Sequence, residues 1–310
     1  MNNIRIANAP CSWGALEFDG LPGETIGYTQ MLNELRATGY AGTELGDWGY
    51  MPTDAVQLKT ELQQRGLSML GAFVPVGLKD ENNHATGEAE ALRVARLLTA
   101  VAKSTEQLPY LILADANGTV PERTLNAGRI TDSMELSATE WSTFARGAER
   151  IARRVHEETG LQTAFHHHCA GFVETPQEIE RLLDLTDPSL LGLVFDTGHY
   201  LYGTGELDGQ HVLEGLEHFK ERILHVHFKD FHPSTALQAR AEGWDYFTAV
   251  RKGIFCELGK GSVPFPSVKD WLGKRGYDGW IVVEQDVLPG MGSPAESAQR
   301  NRTYLEAIGL

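Results

Sequence analysis

The stretch Ile223 to Asp230 reads ILHVHFKD, an apolar run with histidines at alternating positions that ends in a Lys-Asp pair. Alternate residues of a strand share a face. A strand here points His225 and His227 the same way and sets Lys229 at its end. Three more apolar runs end in acid or imidazole: LQTAFHHHC (Leu161 to Cys169), LLGLVFDTGHY (Leu190 to Tyr200) and WIVVEQD (Trp280 to Asp286). With the other strand ends they present Glu44, Asp115, His166, His168, Asp196, His199, His227, Lys229 and Glu284. A mixed oxygen and imidazole set suits a first-row divalent ion such as Mn²⁺, Co²⁺, Fe²⁺ or Zn²⁺. Oxygen ligands alone would favour Mg²⁺ or Ca²⁺. A single strand-end acid more often caps the helix that follows; several converging on one mouth argue for a site.

The elements that must position these residues follow from a recurring punctuation. Polar, helix-like segments end in Gly and an apolar run starts at once, at Gly39, Gly66, Gly160 and Gly276. Gly closes helices because it takes positive φ without steric cost. Candidate strands fall at 4–9, 40–45, 67–74, 109–115, 161–168, 191–196, 223–229 and 280–285. Helical patterns fall at about 25–38, 53–65, 86–103, 138–158, 175–185, 208–221, 266–275 and 294–307. Strands alternating with helices predict a parallel sheet, and short apolar strands fit burial on both faces. The fold class is α/β, a single (β/α)8 TIM barrel over residues 1–310, with the active site at the carboxyl ends of the strands. The connections 116–137 and 231–262 are long enough to be lids or binding loops; the second contains a helix at roughly 234–252.

The 310 residues carry a formal net charge of −15 and no long basic run, which argues against nucleic acid or an anionic membrane as partner. Cys11, Cys169 and Cys256 form no CxxC pair, which fits a reducing compartment. With neither signal-peptide pattern nor long apolar span, a cytoplasmic protein is expected.

Individual residues carry competing readings. His225 lies one inward step below His227 and reads as a hydrogen-bonded supporting histidine. His167 has opposite parity from His166 and His168 and reads as structural. At least one of His166 and His168 should reach the metal. Glu174 opens E-T-P-Q-E, where Thr175 is the expected N-cap and Pro176 a first-turn residue; Glu174 itself is assigned to capping. Trp13 and Trp48 are wall residues and candidates to stack on a sugar. GTGE near Gly203 and GKGS near Gly259 are too short to define phosphate loops.

NAPCSWG, GYAGTELG, HHH, FDTGH, HVHFKD and VVEQD, spread over nearly the whole chain, together resemble the xylose-isomerase-like TIM barrels, the sugar-phosphate isomerase/epimerase superfamily, and within it the inosose dehydratase type. The resemblance implies a metal site built from an acid on strand five, Asp on six, His on seven and Glu on eight. Carried over, these are His166, Asp196, His227 and Glu284. The departure is His166, where the epimerases have Glu; the inosose dehydratase type is similar to this chain in its histidine triplet. Without that Glu, a two-glutamate proton shuttle is in doubt.

The resemblance then implies a metal-dependent dehydratase, a β-eliminating lyase of inositol catabolism, acting on a keto-cyclitol such as 2-keto-myo-inositol or on a related keto-sugar. One divalent ion is expected, Mn²⁺ (manganese) or Co²⁺ before Zn²⁺ or Fe²⁺. Glu284 or an imidazole takes the α-proton and His168 gives one to the leaving hydroxyl. Lys229 stabilises the enolate or orients a hydroxyl. Trp13, Glu44 and His199 bind substrate. The same-class alternative is a sugar or inosose isomerase/epimerase. An endonuclease-IV-like metallohydrolase shares D-x-x-H, and the acidic charge disfavours it. Homo-oligomerisation is left open.

Overall fold

The computed structural model describes residues 4–14, 26–102 and 107–310. Position 25 of the first expected helix and position 103 of the third lie outside them. Eight strands correspond to the eight expected: β1 (Arg5–Asn8), β2 (Gly42–Thr43), β3 (Gly71–Val76), β4 (Tyr110–Asp115), β5 (Thr163–His166), β6 (Leu191–Asp196), β7 (Ile223–Phe228) and β8 (Trp280–Val283). The third expected strand is interrupted at Leu70, with Ser68–Met69 pairing with β2 before β3 begins.

Seven strands form one parallel sheet in the order β1-β8-β7-β6-β5-β4-β3. Strand β2 closes the ring. Ala41 N donates to Ile6 O at 3.0 Å on one side, and Leu45 N donates to Gly71 O at 2.9 Å on the other. The closed ring with its outer helices is a (β/α)8 barrel. The strands are apolar because both faces are covered: one by helices, the other by interior layers such as Ala7, Leu70, Trp280 and Val282, and Tyr110, Ile112, Ala164 and Val194.

The outer helices start and stop where side-chain chemistry says they should. Ser137 and Thr175 each close a capping box, with Glu140 and Glu178 respectively, at the heads of Ala138–Thr159 and Pro176–Asp184. Gly66 and Gly160 end their helices at φ 68° and 73°, a left-handed conformation that would strain any other side chain.

Three features depart from the expected pattern. The single helix expected at 234–252 is two, Pro233–Glu242 and Tyr246–Arg251. Gly243 at φ 66° ends the first, and Asp245 caps the second by accepting from Thr248 N at 2.7 Å. The base of this insertion is a two-stranded ribbon, Asp230–Phe231 against Phe255–Cys256. Finally, a helix not expected from sequence, Thr197–Gly203, follows β6 directly. Asp196 starts it, its Oδ1 accepting from Gly198 N at 2.9 Å and His199 N at 2.7 Å.

Candidate metal centre and active-site cleft

Strand register assembles the centre. Asp196 on β6 pairs directly with His227 on β7. Val283 pairs with Phe228, which sets Glu284 beside Lys229. An irregularity between Leu193 and Val194 shifts the β6–β7 register, so that Leu193 faces Ile223 but Val194 faces His225. Such a bulge re-aims the residues beyond it; here it turns His225 and His227 to the same face as Asp196.

His166, Asp196, His227 and Glu284 offer ligand atoms that all lie within 4.8 Å of one another. Asp196 Oδ2 is 3.8 Å from His166 Nε2 and 3.9 Å from His227 Nδ1. His227 Nδ1 is 3.3 Å from Glu284 Oε1. Asp196 Oδ2 and His227 Nδ1 are buried and have no hydrogen-bond partner, a state that costs free energy unless something else satisfies them. Asp196 caps the helix through Oδ1, which leaves Oδ2 to the ligand cluster.

The other nitrogen of His227 explains the orphan. His227 Nε2 and His225 Nε2 each lie 3.0 Å from Glu44 Oε1. A carboxylate accepts, so both imidazoles carry their proton on Nε2. Once its Nδ1 proton is lost, His227 presents a lone pair toward Asp196 Oδ2 and Glu284 Oε1. The three atoms then face one point, and the donor set fits a divalent cation. Glu44, His225 and His227 also cluster, but the two hydrogen bonds account for that group without an ion. Burial alone would raise the Glu44 pKa, but His227 and His225 outweigh it and hold it at about 2. Glu44 was expected to hold substrate hydroxyls; it borders the cleft but gives Oε1 to these two rings.

The cleft above the centre opens to solvent and is walled by Phe73, Tyr246, Phe247, His168, Lys229 and Asp286 among others. Lys229 is 1% exposed. Its Nζ lies 3.3 Å from Glu284 Oε2 and 3.2 Å from Asp286 Oδ1. Burial would lower the Lys229 pKa, but Asp286 and Glu284 raise it well above the ordinary value. Glu284 moves the opposite way: burial would raise it, while His227 and Lys229 hold it well below the usual carboxylate range.

His168 Nδ1 lies 2.7 Å from Cys169 O. A carbonyl only accepts, which assigns the proton to Nδ1 and leaves Nε2 an acceptor. Burial, then the neighbouring His166, lower the His168 pKa to about 3. His168 is therefore neutral in its resting form, with Nε2 its acceptor atom.

Three residues expected to contact substrate, Trp13, His199 and Trp48, are not among the cleft's lining residues. Trp13 is 2% exposed and lies in the core. Its indole N–H donates to Glu34 Oε2 at 2.8 Å, so the turn Pro10–Trp13 sends Pro10 and Cys11, not the indole, to the cleft. His199 is 1% exposed. It stands behind His168 with ring centroids 3.8 Å apart, its Nδ1 accepting from Cys169 N at 3.3 Å; a ring layered between His168 and Phe255 supports the wall. Trp48 is likewise turned away, under the Arg93 guanidinium at 4.1 Å.

Other readings resolve cleanly. His167 Nε2 accepts from Asp196 N at 3.2 Å among Phe195 and Tyr200, a structural position. The GKGS amides serve Asp230, whose carboxylate accepts from Gly259 N and Gly261 N at 2.8 and 2.9 Å. Glu174 does not cap: its oxygens accept from Gly128 N at 2.6 Å and Ala170 N at 2.8 Å, tying down the loop that carries His168. Sequence reasoning passed over Asp286 and Tyr246. Asp286 had a signal, the same alternate spacing from Glu284 that links His227 to Lys229. Tyr246 had none, because it reaches the cleft from an insertion whose path no periodicity fixes.

The family model described as xylose isomerase-like TIM barrel matches residues 32–308. An inosose dehydratase of Lacticaseibacillus casei is 30% identical over 304 residues, covering 98% of this chain and 97% of that protein. An inosose dehydratase of Geobacillus thermodenitrificans is 31% identical over 310 residues, covering 100% and 99%. Among solved structures, the probable 3-DHS dehydratase AsbF of Bacillus anthracis superposes with TM-score 0.69 at 14% identity over 98% of this chain and 99% of that one. The IOLI protein with a bound zinc atom superposes with TM-score 0.68 at 13% identity, covering 98% of each. At such identities the structures speak for the fold alone. The chain belongs to the xylose isomerase-like TIM barrel family.

Proposed function

We propose that this chain is a metal-dependent dehydratase, a β-eliminating lyase, whose substrate is a keto-cyclitol such as 2-keto-myo-inositol. The observation that carries the reading is the convergence of candidate ligand atoms, Asp196 Oδ2 and His227 Nδ1 beside Glu284, beneath a cleft wall where His168 turns its acceptor Nε2 toward Tyr246. Full-length relatives named inosose dehydratases support the substrate class. An uncharged polyol also suits a cleft where Glu44, Asp47, Glu284 and Asp286 outnumber Lys229.

His166, Asp196, His227 and Glu284 would hold one divalent ion, Mn²⁺ or Co²⁺ by preference, which when bound polarises a carbonyl and stabilises negative charge beside it. His168 Nε2 takes the proton on the carbon next to the ketone. Glu284, held between His227 and Lys229, is kept in this reading as a metal ligand, and the base role expected of it passes to the imidazole that borders the cleft. Lys229, anchored by Glu284 and Asp286, turns its remaining N–H toward the developing enolate. As the enolate collapses, the β-hydroxyl leaves. Residues 1–310 act as one barrel domain, and three free cysteines fit a cytoplasmic setting.

The test is metal-replete protein with a panel of inososes and 3-keto-glucosides, followed by NMR in D₂O. The expected outcome is loss of water with an unsaturated or diketone product. A wild type that only interconverts isomers would replace the dehydratase with the isomerase/epimerase.

A further inference from the structure

The insertion between β7 and β8 brings Tyr246 against His168. The rings meet edge to face, centroids 5.6 Å apart at 65°, with the phenol oxygen 3.5 Å from His168 Nε2. Both side chains border the cleft. Neither is loosely placed. His168 is fixed by Cys169 O and backed by His199 at 3.8 Å. Tyr246 is 5% exposed and opens a helix capped by Asp245. Because Nδ1 of His168 holds the proton, Nε2 can only accept, so the phenol O–H is the donor of this contact. The pair thus places one acceptor and one donor side by side at the cleft, engaged with each other.

We propose that Tyr246 is the acid that completes the elimination, paired with His168 as base. The inference rests on the dehydratase reading above and deepens it. The C–H bond next to the ketone breaks, its proton goes to His168 Nε2, and its electron pair becomes the enolate. The enolate pair then forms the new C=C bond as the β-C–O bond breaks. The Tyr246 hydroxyl proton joins the departing oxygen, which leaves as water. The proton on His168 Nε2 crosses the short gap to the phenolate and restores both side chains. The substrate loses one water and nothing is oxidised or reduced by an outside reagent. Proton and hydroxyl leave from the same face of the ring, because acid and base stand on the same wall.

The experiment is Tyr246→Phe, compared with wild type in D₂O with a keto-cyclitol the wild type dehydrates. Water loss should fall by about 10²-fold or more, the range for a positioned acid. Deuterium should meanwhile accumulate in unreacted ketone, because His168 still removes the α-proton and the enolate now lingers. Metal content and melting temperature, measured on the same samples, should match wild type. Wild-type dehydration by the variant would overturn the proposal. So would equal loss of exchange and elimination with metal retained, which would make Tyr246 a positioning residue for His168. If the wild type dehydrates no ketone in the panel, the dehydratase reading falls and this inference falls with it. Dehydration by the wild type with no effect of Tyr246→Phe removes the inference alone.

Discussion

Glu44 Oε1 lies 3.0 Å from His227 Nε2, joining the end of β2 to the inner face of β7 across the barrel. A residue distant in sequence thereby fixes which nitrogen of His227 faces the candidate centre. Partners of this kind orient a ligand and raise its basicity, and losing one typically costs about 10–100-fold in metal affinity. Glu44→Gln keeps the shape but offers a neutral amide oxygen to both rings. Competition titration with a chelator should show that loss for Glu44→Gln, and a much larger one for Asp196→Ala and His227→Ala. Unchanged affinity in Glu44→Gln would separate Glu44 from the centre.

Metal binding should release a proton. Burial would lower the His227 pKa, but Glu44 and Glu284 outweigh it and hold it well above the ordinary imidazole value. Without a cation, His227 is therefore protonated on both nitrogens near neutral pH, and an ion must displace the Nδ1 proton. Affinity should weaken as pH falls and strengthen as it rises toward the His227 pKa. Calorimetry in buffers of different ionisation enthalpy should find about one proton released per ion at neutral pH.

The fold and much of the centre were legible because they rest on local rules. Strand alternation placed His225 and His227 on one face with Lys229 at the strand's end, and the D-x-x-H spacing marked Asp196 and His199 just past the sixth strand. What was not legible depends on contacts between distant segments. Trp13 looked like a sugar platform until Glu34 took its N–H. His199 looked like a substrate contact, but the helix Thr197–Gly203 sets it behind His168. The register shift at Val194 and the path of the 231–262 insertion follow from packing, which no one-dimensional period encodes.

Arg123 and Glu178 form a bidentate pair at 2.7 and 2.8 Å, each with a side chain 1% exposed. Arg123 Nε also donates to Gly171 O at 2.8 Å, on the loop just after His168. Removing one partner of a buried pair leaves the other charge stranded, at about 3–5 kcal/mol. Arg123→Met should lower unfolding free energy by that order in urea titration. The double variant Arg123→Met, Glu178→Leu should recover part of the loss, since no charge is left behind.

Lys229 separates a catalytic role from a structural one. Its ammonium sits between Glu284 Oε2 and Asp286, so Lys229→Met removes both a donor to the enolate and the neutralising charge between two acids. The first effect should lower kcat by about 10²–10³-fold, the cost of losing one donor to a developing oxyanion. The second should destabilise the fold, because Glu284 and Asp286 then face each other as buried like charges. Asp286→Asn, made on top of Lys229→Met, removes one of those charges. It should restore much of the stability, read from urea titration, and none of the kcat. Asp286→Asn alone keeps the ammonium held by Glu284, and should lower kcat less than Lys229→Met does. Recovery of kcat along with stability in the double variant would show that Lys229 serves only to neutralise its neighbours.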